Sequence, residues 1–336
     1  MTNGIRVIVV SYRCAEHVRR CLESLSALPD TKIEICVVEN GGPRAFSALV
    51  ECIGSGETLS EPNESGFNQA VRVQDARCPL YLFESACNYG YAGAINRVIA
   101  FRSDFDWQFI WILNPDLSVT PDALTHALKK AIPGQFSVVG SRIIDQRTGK
   151  IQSVGGKWRK ISARGFDFGR GDDFRRVFKE SDVELSLDYV SGACMLVSRS
   201  YIQDVGLMDE RYFLFCEEVD WCLRRGAHKI GYAHNSVVQH EHGATIGSSN
   251  SRRSESRLAV YLSERNKLLM TKKLFPNWYP LTALVAFLLL FRYVVKWAPS
   301  NFLVGLSGWN AGLHGLTGIP DAFSELMATG GSNRRD

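Results

Sequence analysis

The chain is short of the features that would assign it at a glance. Its nine cysteines form no C-x-x-C pair and come in an odd number, which argues against a disulfide scaffold or a cysteine-built zinc site. Several lie inside apolar runs and read as reduced core residues of a cytoplasmic protein. The net charge of +4 is too small to be a footprint for nucleic acid, and no nucleic-acid-binding signature accompanies it. No uninterrupted apolar run approaches the ~20 residues of a spanning helix. The start offers no signal peptide, since Met1 to Gly4 is polar and Ile5 to Val10 is shorter than a signal core. The chemistry is therefore expected to face the cytoplasm.

What is present is apolar substance in alternating blocks. With 336 residues and 45% hydrophobic content, the chain can bury one large core, or one core and an appendage. Ile5 to Ser11 reads as a strand, Val18, Cys21, Leu22 and Leu25 as a helical stripe, and Ile33 to Val38 and Leu80 to Phe83 as further strands. Tyr91, Ile95, Val98 and Ile99 mark a helix after Gly90, and Leu124, Ala127, Leu128 and Ala131 another after Thr120-Pro121-Asp122. Such alternation implies α/β architecture with a parallel, doubly wound sheet. Residues 145–188, rich in Gly, Arg and Asp, read as a mobile insertion outside the sheet's core.

Three stretches carry candidate chemistry. Phe109 to Leu113 is a buried strand, and Asn114-Pro115-Asp116 stops it, leaving Asp116 at the carboxyl end where open α/β sheets bind ligands. A hard divalent cation carrying a diphosphate takes oxygen ligands of this kind. About 100 residues on, Phe213-Leu214-Phe215-Cys216 leads into Glu217, Glu218 and Asp220. Like charges this close raise one another's proton affinity, so one can accept a proton near neutral pH if its surroundings are partly dry. An acidic first helical turn answered by Arg224 and Arg225 is the purely structural alternative. Then comes His240-Glu241-His242 at a strand end, an imidazole source for a divalent metal.

Together with Val7 to Tyr12, Val37 to Gly41, Asn88 to Asn96 and Ser191 to Val197, these motifs make the chain resemble an inverting glycosyltransferase of family 2, in the branch that includes bacterial rhamnosyltransferases. The resemblance runs over roughly residues 5–270 and implies a GT-A fold, a Rossmann-like mixed sheet flanked by helices. It implies that Ser11, Tyr12, Glu39, Asn88, Gly90, Gly93, Asn96, Asn114, Gly192 and Arg265 surround a nucleotide-diphospho-sugar, Glu39 reaching the base where relatives use Asp. Asp116 and His240, with His242 as the alternative, would hold Mg²⁺ or Mn²⁺; Glu218 would be the general base, with Glu217 and Asp220 orienting it or the acceptor. The reaction implied is transfer of a sugar, rhamnose among the candidates, to a glycan or polyprenyl-linked acceptor in cell-surface polysaccharide synthesis. The rival readings are a nucleotidyltransferase, which lacks support because no glycine-rich, Arg/Lys-bearing phosphate loop opens the chain, and a catalytically silent carbohydrate-binding scaffold.

The expected division is a catalytic domain over 1–250, with a nucleotide-sugar half at 1–120 and an acceptor half at 121–250. A helical, membrane-associating region follows over 251–328, and a disordered tail over 329–336. Leu281 to Phe291 is apolar but too short to span, and Lys267, Lys272, Lys273, Arg292, Lys296, Trp278 and Trp297 flank it. That pattern reads as a peripheral segment on the inner leaflet of the plasma membrane. A docking helix for a homodimer is the alternative.

Overall fold

The computed structural model describes residues 4–29, 31–59, 66–241, 256–319 and 323. Its first half alternates as expected: β1 (Ile5–Ser11), α1 (Ala15–Ser26), β2 (Ile33–Glu39), α2 (Pro43–Ile53), β3 (Gly56–Thr58), β4 (Phe67–Val73), β5 (Leu80–Ser85), α3 (Gly90–Ala100) and β6 (Phe109–Leu113). There follow β7 (Leu117–Val119), α4 (Ala123–Gly134), β8 (Phe136–Asp145), β9 (Ile151–Ser153), β10 (Gly156–Arg159), β11 (Arg164–Asp167) and α5 (Glu180–Glu184). The sheet-forming part of the chain ends with β12 (Cys194–Ser198), α6 (Arg199–Val205), α7 (Glu217–Leu223) and β13 (Lys229–His240). Three helices close the described chain: α8 (Arg257–Leu274), α9 (Tyr279–Val295) and α10 (Pro299–Leu313).

The main sheet has the order β3-β4-β5-β2-β1-β6-β12-β8-β13-β7, with β9 beside β8. Strands β5, β2, β1 and β6 run parallel, and β1 is buried along its whole length because helices cover both faces. The second half departs from the parallel expectation, since β12 enters antiparallel between β6 and β8. That reversal serves the site. It sets the start of β12, Cys194, opposite Leu113, the last residue of β6. On the far side, antiparallel β13 and β7 bring His240 opposite Leu117. Ser11, Glu39, Asp116, Gly192 and His240 thus collect at one sheet edge from five distant segments. This mixed α/β sheet with flanking helices is of the GT-A type.

The stretch 145–188 does not lie outside the core. Ile151, Val154, Trp158, Ala163, Val183 and Leu187 are buried in the same cluster as Ile112 and Met195. Its glycines permit close packing, which composition alone had suggested as looseness: a Cβ on Gly156 or Gly165 would stand 2.4 Å from the Tyr189 hydroxyl oxygen, which threads between them.

Helices α8 and α10 pack backbone to backbone along a stripe of glycines. A Cβ on Gly308 would lie 2.3 Å from the Tyr261 carbonyl oxygen, and one on Gly312 would lie 2.8 Å from that of Arg265. α9 buries Thr282, Ala283, Ala286, Leu290 and Tyr293, and turns Leu281, Leu284, Leu288 and Phe291 outward. With the turn before it, the segment Pro276–Val295 has 20 residues and an 18-residue window of mean hydropathy 1.7, enough by length and composition alone to cross a membrane. The shorter expectation counted only Leu281 to Phe291; the helix extends beyond both ends of that run. Its flanking cations are also arranged differently. Lys267 and Arg292 turn inward to Glu264, and Lys273 to Asp209 and Asp220. His242 and residues 329–336 lie outside the described residues.

Candidate active site

Asp116 leaves the end of β6 at the turn that Pro115 enforces, and its Oδ1 lies 3.0 Å from Nε2 of His240. The other imidazole nitrogen, Nδ1, is 2.9 Å from Oε1 of Gln152 on β9. In the tautomer that donates Nδ1–H to Gln152, Nε2 turns its lone pair toward Asp116. In that tautomer the imidazole nitrogen and the carboxylate would together offer one N and one O donor to a divalent cation. The donor set therefore fits a hard divalent ion. Among the described residues no cluster of three His, Cys, Asp or Glu side chains could hold a metal, so the remaining positions suit waters and phosphate oxygens, as Mg²⁺ sites on nucleotides commonly do. Gln152 had no signal in the sequence; only the pairing of β9 with β8 brings it behind His240.

Glu217 and Glu218 open α7 beside this edge. A Cβ on Gly192 would touch the Glu218 side chain at 3.2 Å, and the neighbouring Ala193 carbonyl accepts the Asn114 amide at 2.9 Å. Gly192 is thus a wall for Glu218, where the resemblance implied a donor contact. Tyr91, read in the sequence only as part of a helical stripe, donates its hydroxyl to the Gly192 carbonyl at 2.6 Å and lies within electrostatic reach of Glu217, Glu218 and Asp116. Burial, reinforced by the charge of Glu218, pushes the Glu217 carboxyl up to about 8. Burial also pushes Glu218 up, to about 7, with Asp167 of the β10–β11 hairpin adding its repulsion. Oε2 of Glu217 is enclosed without a hydrogen-bond partner. This is the environment in which a carboxylate pair shares protons near neutral pH.

The third carboxylate of the cluster has another task. Asp220 is fully buried, accepts from the Tyr212 hydroxyl at 3.1 Å and from Arg224 Nε at 2.7 Å, and pairs with Lys273 Nζ at 2.8 Å. It ties α7 to α8, and orients neither Glu218 nor an acceptor.

Several expected donor contacts are likewise spent inside the protein. Glu39 is fully buried; its carboxylate accepts from the Ser11 hydroxyl, from the Arg13 amide at 2.9 Å and from the Gly41 amide at 2.6 Å. It shapes the turn after β1 and does not offer those positions to a nucleobase. Asn96 is pinned to Met208 at 2.9 and 3.2 Å and to Glu210 at 3.0 Å. The first amides of α3 are also occupied, Gly90 by Asn88 Oδ1 at 3.0 Å and Tyr91 by the Phe213 carbonyl at 2.9 Å. Gly90, at a φ of 71°, is required there because a Cβ would stand 2.1 Å from that carbonyl. Gly93 is held to glycine by the Tyr89 side chain, 2.8 Å from where its Cβ would be. Arg265 is 1% exposed and bonds the backbone, so it is no rim residue. Tyr12, Asn88 and Asn114 remain half-buried at the edge, with the Arg13 guanidinium 5.0 Å over the Tyr12 ring.

The family model described as glycosyl transferase family 2 matches residues 6–206. Among curated proteins, the low-salt glycan biosynthesis hexosyltransferase Agl10 of Haloferax volcanii is 21% identical over 82% of this chain and 78% of its own. The N-acetylglucosaminyl-diphospho-decaprenol L-rhamnosyltransferase of Mycobacterium tuberculosis is 26% identical over 74% of this chain and 79% of its own. The rhamnosyltransferase WbbL of Escherichia coli K12 is 22% identical over 69% and 84% respectively.

Proposed function

The chain belongs to glycosyl transferase family 2, and on that premise we propose that this glycosyltransferase moves a hexosyl group, rhamnose the first candidate, from a nucleotide diphosphate to an acceptor hydroxyl with inversion. The observation that carries this reading is the pair of buried Glu217 and half-buried Glu218, both held well above the usual carboxylate range at the edge that bears Asp116 and His240. The names of two relatives support a rhamnosyl donor. The mycobacterial one acts on a sugar carried by decaprenyl diphosphate, which supports a lipid-linked acceptor here. The outward apolar face of α9 supports a peripheral position on the inner leaflet beside such an acceptor.

The acceptor oxygen bonds to the anomeric carbon as the bond from that carbon to the diphosphate oxygen breaks, and the acceptor proton passes to Glu218. One displacement inverts the centre and needs no covalent intermediate. A base titrating near the working pH balances availability against driving force, and Glu218 meets that requirement. Glu217, enclosed beside it, holds its proton more tightly, so Glu218 is the first of the pair to ionise as pH rises. Asp116 and His240 would hold a divalent cation, whose charge would offset that gathering on the leaving diphosphate.

The test is a panel of UDP-, GDP- and dTDP-sugars with a polyprenyl-diphosphate-linked N-acetylglucosamine acceptor in Mg²⁺ or Mn²⁺. Release of nucleoside diphosphate coupled to acceptor glycosylation is expected. If no donor is consumed while a nucleoside triphosphate and a sugar phosphate are joined, the chain is a nucleotidyltransferase and the reading fails.

A further inference from the structure

The segment that delivers Glu217 and Glu218 has an improbable backbone. Phe213, Phe215 and Cys216 all have positive φ, at 65°, 70° and 76°, and none is glycine. At Phe213 the ψ of −54° and the bond from the Leu214 amide to the Tyr212 carbonyl, 2.8 Å, define the γ-turn of positive φ, the rare and strained form. Backbone of this kind persists only where its surroundings over-determine it.

The surroundings that do so belong to α8. Asn266, fully buried, points its side-chain amide into the loop, where its two N–H hydrogens are shared among the carbonyls of Tyr212, Leu214 and Phe215 at 2.9, 2.7 and 2.9 Å from the nitrogen. Arg265 Nε bonds Asn266 Oδ1 at 2.9 Å, which fixes the orientation of that amide. Its Nη2 adds a second donor to the Tyr212 carbonyl at 3.0 Å, while Nη1 reaches the Gly318 carbonyl beyond α10. The fourth carbonyl, Phe213, goes to the Tyr91 amide. The Cys216 carbonyl accepts the Asp220 amide at 2.8 Å, so all five carbonyl oxygens of the 212–216 loop are captured.

We infer that Asn266, oriented by Arg265, is a positioning residue that clamps the 212–216 loop in the strained shape which presents Glu217 and Glu218. The inference rests on the reading of those carboxylates as the base pair, and it gives the C-terminal helices a task in the chemistry. The glycine stripe of α10 presses on α8 at Tyr261 and Arg265, so the helical appendage supports the clamp from behind.

The experiment compares Asn266→Asp, Asn266→Ala and Arg265→Lys with Glu218→Gln and with Thr271→Val, all in the full chain. Thr271 is a fully buried residue of the same helix whose hydroxyl serves the Lys267 carbonyl. Asn266→Asp keeps the shape but sets an acceptor against three carbonyls. We expect kcat to fall by about 10- to 100-fold in both Asn266 variants, with the donor KM within about threefold, because misplacement of a base costs turnover and leaves binding alone. Arg265→Lys should fall in the same direction by less, and it serves as the folded variant should the Asn266 changes prevent folding. Thr271→Val should lower Tm without that kcat loss. Full turnover in the folded Asn266→Ala or Arg265→Lys variants would overturn the clamp, as would an equal kcat loss in Thr271→Val, or a raised KM at unchanged kcat. If Glu218→Gln itself retains turnover, the reading of the base fails, whatever Asn266 does.

Discussion

Glu39 and Glu217 are both enclosed at the same sheet edge, yet Glu39 receives bonds from Ser11, Arg13 and Gly41 while Glu217 keeps an oxygen with none. A similar contrast separates Asp220, bonded to Tyr212, Arg224 and Lys273, from Glu218 two residues earlier, which meets only backbone amides at the start of its own helix. Burial with donors makes a carboxylate part of the frame. Burial without them raises its proton affinity and leaves it able to act. Acidity in the sequence marks both kinds alike, and only the partners tell them apart.

The largest expected effect tests the metal half of the site. Chelation by EDTA should abolish transfer, and Asp116→Ala should lose Mn²⁺-dependent nucleotide binding while its Tm changes little, because Asp116 serves His240 and the ion more than the fold. Full transfer in chelator would remove the ion from the mechanism.

Next in size is the base. Glu218→Gln should keep the donor KM and lower kcat by about 10² to 10⁴, whereas Glu39→Gln should lower kcat far less. If Glu217→Gln is the more damaging change and Glu218→Gln nearly neutral, the two exchange roles. For kcat/KM, loss of the Glu218 proton near pH 7 should give an ascending limb centred there.

A smaller effect reverses sign between the two carboxylates. Glu217 titrates near 8 folded and near its ordinary value of 4.5 unfolded. Between those values the folded state binds the extra proton, so stability falls as pH rises through the window. Glu217→Gln removes that loss and should raise Tm at pH 8 to 9, by roughly 2–4 °C per kcal/mol recovered in a chain of this class. Glu39→Gln should instead lower Tm at all pH values, since a bond to a charged group is worth about 1.5–3 kcal/mol. Equal Tm shifts of one sign in both variants, measured by calorimetry across pH 6 to 9, would erase the distinction.

The strand ends were legible because unbroken apolar runs such as Val7 to Val10 and Phe109 to Leu113 stop at polar residues, and a parallel sheet gathers such stops at one edge. Asp116, Glu217, Glu218 and His240 could be named for that reason. Their sorting could not, because it depends on remote donors: Lys273 lies more than 50 residues from Asp220, and Gln152 sits 88 residues from His240. The glycines were misread for a related cause. Gly90 and Gly93 in sequence suggest close backbone approach to a sugar diphosphate, and Gly192 a donor contact, while in space they make room for the Phe213 carbonyl, the Tyr89 side chain and Glu218. Asn266 stands out in the sequence only as the partner of Arg265 in a pair that resembles one near the rim of related sites; its task as a buried amide comes from the loop it faces.

The smallest expected effect carries the comparison to the cations of the C-terminal helices. Lys267, Lys273 and Arg292 look like a basic flank for an anionic membrane, but all three are committed to Glu264, Asp209 or Asp220. Lys272 and Lys296 are exposed, and each adds only ~1 kcal/mol near an anionic surface. The outward Leu281, Leu284, Leu288 and Phe291, between 45% and 56% exposed, gain up to ~1.5–3 kcal/mol each on full burial. Apolar insertion should therefore dominate and charge should only tune it. Replacing these four residues by Ser should stop the protein floating with phosphatidylglycerol vesicles. Lys272→Gln with Lys296→Gln should weaken flotation by several-fold at low salt and scarcely at 0.5 M, where the Debye length is only a few Å. Flotation abolished by the lysine changes and kept by the serine variant would mean that charge, and not the α9 face, holds the protein to the membrane.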